Sequence, residues 1–285
     1  MADIRGVGKP ITYSDDNPIS GWVDELRRQR NALKREPRDA EERERLARWL
    51  GYRGRDELEC IVGSATYAFT HFGAELDSEW RYLLADHIRT EAGHGWGYIQ
   101  QANRIDPSRD HSQPDPEFVA QYGLTPRLEH QELMRRDFLS FLIAGNLWPY
   151  GHVTAATIQS ILITTPQVLD FEHRVVEAEE RGHHNAMLQK IHDYVWQLID
   201  RYGEAPIRKR IAEIDAAALN ARSRTIFDPP RREFLRKYFN TTFENVQWFH
   251  EWREYLYLNV LGFPPEPVYI RNWPPEYPQP VPQAA

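Results

Sequence analysis

Two four-residue runs constrain this chain more than any other feature: Glu91-Ala92-Gly93-His94 and Glu180-Arg181-Gly182-His183, each inside a long stretch of helix-patterned sequence. Residues three apart on an α-helix project from the same side, so each Glu and its His can grip one cation together. The neighbours say which way that side faces. Trp80, Leu84, His87, Glu91, His94 and Tyr98 step by four and three, and so do Leu169, His173, Val176, Glu180, His183 and Met187. Both stripes are largely apolar around their motif, which points the motif inward. A carboxylate there is costly unless it is paired or bound to metal. The expectation is two helices facing each other around two ions about 4 Å apart, each with one imidazole and shared carboxylate oxygens. Such ligation suits two Fe ions, with Mn the alternative, better than zinc. The lone Cys60 supplies no thiolate cluster and no internal disulfide.

No alternation of apolar and polar residues persists, so the expected fold class is all-α. A short charged helix from Arg38 to Leu50 is closed by Gly51, and Gly54 sets off a first bundle helix from Arg55 to about Phe72. Asp77 or Ser78 caps the second, which carries the first motif. Residues 105–127 hold four prolines and read as a long crossover. Helical character returns from Leu128 to Leu147, breaks at Trp148-Pro149-Tyr150-Gly151 and resumes from His152 to Thr164. Pro166 opens the helix of the second motif, to about Tyr202, and further helices follow from Ala205 to Ser223 and from Pro230 to Leu261. Long helices with one crossover predict a ferritin-like four-helix bundle, here with additional N- and C-terminal helices and a Pro-rich tail. The domain reading is 1–54 as an N-terminal extension, 55–262 as the bundle and 263–285 as an extended tail. Tyr269, Trp273 and Tyr277 suggest that the tail lies on a surface, its own or a partner's.

A four-helix site also needs a ligand from each of the other two helices. For the first, Glu59 shares a face with Val62, Thr66 and Phe69 and is preferred over Glu57, which sides with Ile61 and Ser64. For the other, residues 146–152 lie at the right distance before Glu180 and contain no Asp or Glu. His152 is the candidate, on a face with Ala155, Ala156, Gln159 and Ile163; a plain helix start is the competing reading. His87 and His173 read as extra ligands, as partners holding a ligand carboxylate, or as buried histidines. His184 is expected to face solvent or another helix.

The formal charge of −7 is spread over interspersed residues, 35 basic against 42 acidic, which argues against nucleic acid as a partner. MADIRGVGKP has no apolar signal region, and no run approaches the roughly 18 apolar residues of a membrane span. The expectation is a cytoplasmic protein with no membrane partner. Nine Trp in a 12% aromatic chain fill a core or line an apolar pocket.

The segment RTEAGHGWGYIQ resembles the catalytic subunit of the phenylacetyl-CoA epoxidases, whose second bundle helix carries a very similar EAGHG run. VVEAEERGHHNAML is similar to that family's Glu-Glu-x-x-His motif. The likeness covers mainly residues 55–200. It implies di-iron ligation by Glu91, His94, Glu180 and His183, with Glu59 or Glu57 as the first-helix carboxylate, and a reaction centred on Glu91 and Glu180. It implies O2 as co-substrate, an electron-donating reductase and hydroxylation or epoxidation of a small apolar or aromatic substrate by a di-iron monooxygenase, in a homo- or hetero-oligomer. The family has an Asp near where this chain has Gly151-His152, so the substrate does not carry over. Arg231, Arg232, Arg236 and Lys237 read as a solvated helix face rather than a coenzyme A site. A di-iron oxidase or desaturase, and a non-catalytic subunit of an oxygenase complex, are the alternatives. Iron storage fits poorly with the length and the Pro-rich tail.

Overall fold

The computed structural model describes residues 34–122, 124–147, 165–226 and 253–271, and among them the fold is all-α. The first rod is continuous. It comprises α1 (Ala40–Asp56), a π turn (Glu57–Ile61) and α2 (Val62–His71). The Asp39 carboxylate accepts from the Glu42 N–H at 2.8 Å, and Glu41 and Glu42 lie in the positive first turn. α3 (Ser78–Ile105) antiparallels this rod, its start capped by Asp77, which accepts from the Trp80 N–H at 2.7 Å.

Gly51 was expected to close one helix and Gly54 to set off the next, yet α1 runs through both. Their use is close approach. A Cβ on Gly54 would sit 2.5 Å from the Gly95 carbonyl oxygen, one on Gly95 2.7 Å from that of Gly54, and one on Gly51 2.8 Å from that of His111. Helix-interior glycine costs about 1 kcal/mol in propensity. Here Gly54 and Gly95 bring α1 and α3 together backbone to backbone, and Gly51 admits the loop that follows α3.

The crossover region is more helical than its prolines suggest. After a loop it forms α4 (Pro116–Tyr122) and α5 (Leu124–Met134). Arg48 on α1 holds this region down, donating to Asp115 at 2.6 and 2.8 Å. The chain then stops and restarts at Asp137, which accepts from the Ser140 N–H at 2.7 Å and begins α6 (Phe138–Ser140) and a π stretch, Phe141–Leu147. The Trp148 to Gly151 break, the His152 to Thr164 helix, most of the Pro230 to Leu261 helix, Trp273 and Tyr277 lie outside the described residues. So does most of the N-terminal extension.

Thr165 caps α7 (Pro166–Phe171) with proline in its first turn, as the sequence predicts. A π turn (Glu172–Val176) leads into α8 (Glu177–Tyr202), which ends at Gly203 with φ 90°. α9 (Glu204–Ile226) follows, and a last π turn, Tyr257–Leu261, closes at Gly262 with φ 81°. Beyond it, Phe263, Val268 and Ile270 are buried in the chain's own core, so this start of the tail packs on its own helices.

Two apolar clusters make the core. One joins Leu46, Trp49 and Leu50 of α1 to Tyr98 and Ala102 of α3 and to Val168 and Val176. The larger runs from Ala68 and Phe72 through Trp80 and Leu84 to Met187, Leu188 and Ile191 of α8. On all three rods the polar motif residues fall between the two clusters. No helix among the described residues is long and apolar enough to cross a membrane.

Candidate metal centre

All six residues of the first stripe, Trp80, Leu84, His87, Glu91, His94 and Tyr98, are buried, so α3 presents its motif inward as the 3.6-residue period requires. Glu91, His94 and Glu180 each offer one ligand atom, and these atoms all lie within 4.8 Å of one another. The Nδ1 of His94 is 3.4 Å from Glu91 Oε2 and 3.5 Å from Glu180 Oε1, and it is buried without completing a hydrogen bond to either. Its Nε2 is 2.9 Å from Glu179 Oε2. This arrangement fits a ligand imidazole: one nitrogen aims at the point where carboxylates converge, and the other is oriented by an outer carboxylate.

The electrostatics agree. Burial, reinforced by repulsion from Glu180, pushes the Glu91 carboxyl well above its usual range. Burial also opposes charge on His94, but the Glu180 and Glu91 carboxylates outweigh it and raise the imidazole to about 10. Elsewhere buried carboxylates meet guanidinium groups: Glu42 meets Arg35 and Arg38, Asp115 meets Arg48 and Arg109, and Asp215 meets Arg253. Glu91 faces imidazoles instead, with His87 Nδ1 3.6 Å from its Oε1. A protonated His94 is thus the cation that these carboxylates meet. Glu91, His94 and Glu180 together could hold a metal ion.

Glu59, the preferred first-rod candidate, is placed away from this cluster. Its side chain is 52% exposed and pairs with Arg55 on the surface, whereas Glu57 is buried and lies near enough to Glu180 and His94 to feel their charge. The π turn at Glu57–Ile61 is the reason. It takes about one residue more than an α turn, so extrapolating an α-helical face back through it selects the wrong residue. Thr66, placed with Glu59 on the inner face, is exposed, while Ser64, placed with Glu57, is buried.

The same device acts on the second motif helix. His173 was placed in the inward stripe and is exposed; Glu172, its neighbour, is buried at 1% exposure. The π turn of Glu172–Val176 brings Glu172 into phase with Glu180 eight residues on. Glu172 is one of the charges that hold the buried Tyr98 phenol up, after burial itself. The sequence reading missed Glu172 and Glu179; the doubled Glu179-Glu180 was the available signal for the latter. His183 lies on α8 three residues after Glu180, but its side chain and that of His184 fall outside what is described, as does His152 entirely.

Comparisons of the chain with family models, with curated proteins and with solved structures found no match. The reading of this centre therefore stands on its own residues.

Proposed function

We propose that the chain is a non-heme di-iron oxygenase of ferritin-like bundle architecture, inserting one oxygen atom of O2 into a small apolar or aromatic substrate. The observation that carries this is His94, whose buried Nδ1 faces Glu91 and Glu180 while Glu179 holds its other nitrogen. Glu91 and His94 would hold one ion and Glu180 with His183 the other, with Glu57 as the first-rod carboxylate. Bound iron would supply the activation of O2. The overall reaction would consume one O2, two protons and two electrons from a reductase, the second oxygen atom leaving as water.

The chain's own groups do the rest. His94 gives up its proton as a cation enters, because ligation requires the neutral imidazole. The apolar clusters on either side bury Glu91 and His94, which strengthens the charge interactions of those two groups. The two motif segments resemble the phenylacetyl-CoA epoxidase catalytic subunit, which supports an oxygenase reading; a di-iron oxidase or desaturase is the alternative. The test is anaerobic reconstitution with Fe2+ and metal analysis. About two iron atoms per chain are expected, with O2 uptake on reduction. Protein that takes up neither iron nor manganese overturns the reading.

A further inference from the structure

Arg53 and Arg55 stand on the same rod, and each reaches a glutamate four residues on. The Arg55–Glu59 pair faces out, with Glu59 half exposed. The Arg53–Glu57 pair faces in, with side chains 13% and 7% exposed. Arg53 Nη2 donates to Glu57 Oε1 at 2.5 Å. Asp56 Oδ2 lies 3.8 Å from its Nη1, and the guanidinium lies over the buried ring of Tyr98, 5.6 Å away on the side of α3 that carries His94 one turn earlier. That hydrogen bond holds one Glu57 oxygen on a guanidinium that also lies over an aromatic ring, a setting a lysine ammonium does not reproduce.

We infer that Arg53 is a positioning residue for the metal centre: by holding Oε1 of Glu57 it leaves one carboxylate oxygen, not two, to face a cation at Glu91, His94 and Glu180. The inference rests on the metal reading above and adds to it the ligand count of the first-rod carboxylate. Arg53 also supplies a fixed positive charge beside the carboxylates when no ion is bound, which lowers the cost of burying Glu57.

The experiment titrates Co2+ into chelator-stripped full-length protein and follows the visible absorption of the bound ion, whose intensity falls as its ligand number rises. Wild type, Arg53→Met, Arg53→Lys and the outward control Arg55→Met are compared. The expected result is unchanged stoichiometry with loss of band intensity in Arg53→Met, a smaller loss in Arg53→Lys, and none in Arg55→Met. In a Glu57→Gln background the Arg53→Met change should vanish, because it acts through that carboxylate. Bands identical to wild type in the Arg53 variants overturn the inference while leaving the metal reading intact. If Arg53→Met does not fold, Arg53→Lys decides, since it keeps the buried charge. Wild-type protein that binds no Co2+ overturns both.

Discussion

Helix α3 keeps one α-helical register for 28 residues, whereas the helix of the second motif changes register at Glu172–Val176, just before Glu180. The first stripe is buried at every position read from its spacing; the second swaps His173 for Glu172. The first rod behaves like the second motif helix, trading Glu59 for Glu57 across its own π turn. Two of three site-bearing rods thus insert a residue beside the polar belt, and the regular one sits between them. Single π turns recur at functional sites because they re-aim one stretch of side chains without ending the helix.

The hardest way to break this comparison is to remove the regular half. Glu91→Ala and His94→Ala should each abolish stoichiometric metal, measured after Fe2+ or Co2+ loading and desalting, whereas His173→Ala should leave it intact. Retention by Glu91→Ala would mean that α3 is merely a buried polar helix. A second contrast tests the first rod by stability alone. Glu57→Ala leaves Arg53 buried beside a lost partner and should cost about 3–5 kcal/mol. Glu59→Ala removes a surface pair worth roughly 0–1 kcal/mol. Denaturant unfolding of metal-free protein reads both, and equal costs would undo the assignment of Glu57 to the interior.

What was legible in the sequence follows the same line. The cap at Asp77, the first-turn Pro166, the α3 stripe and the all-α class depend on local chemistry and an unbroken period, and they are found as read. The choice of first-rod carboxylate and the inward residue before Glu180 depend on where a helix slips register, which no composition or spacing rule marks. Gly51 and Gly54 look like helix stops because propensity says so; only the neighbouring backbones of His111 and Gly95 explain their place inside α1.

Glu179 sharpens the α8 side. As the carboxylate that orients His94 through Nε2, its replacement in Glu179→Gln should weaken metal binding about 10- to 100-fold without abolishing it. Isothermal titration reads this, and an unchanged affinity would remove Glu179 from the site. His94 also sets a pH dependence. Its folded value of about 10 lies above its ordinary 6.5, so its contribution to metal-free stability is complete below about pH 6.5 and is lost as pH rises toward 10. Metal competes with that proton, so affinity should climb up to about tenfold per pH unit between 7 and 9, with a proton released on binding. A flat profile would show that His94 is not the nitrogen ligand.

The smallest effect separates the two faces of α3 itself. Gly93 lies on the exposed side with nothing within 4 Å of an added Cβ, so Gly93→Ala should stabilise by roughly 0.5–1 kcal/mol through helix propensity and a less flexible unfolded chain. Gly95, two residues on, would press a Cβ to 2.7 Å from both the Gly54 carbonyl oxygen and Leu58 Cγ. The backbone atom cannot yield as a side-chain end would, so Gly95→Ala should destabilise by about 1–3 kcal/mol. Because Leu58 sits in the π turn beside Glu57, that strain falls on the first-rod carboxylate. Gly95→Ala should therefore weaken metal binding as well as stability, while Gly93→Ala changes stability alone. Thermal unfolding with and without Co2+ separates the two, and a metal affinity that ignores Gly95→Ala would show that the close approach of α1 and α3 serves packing only.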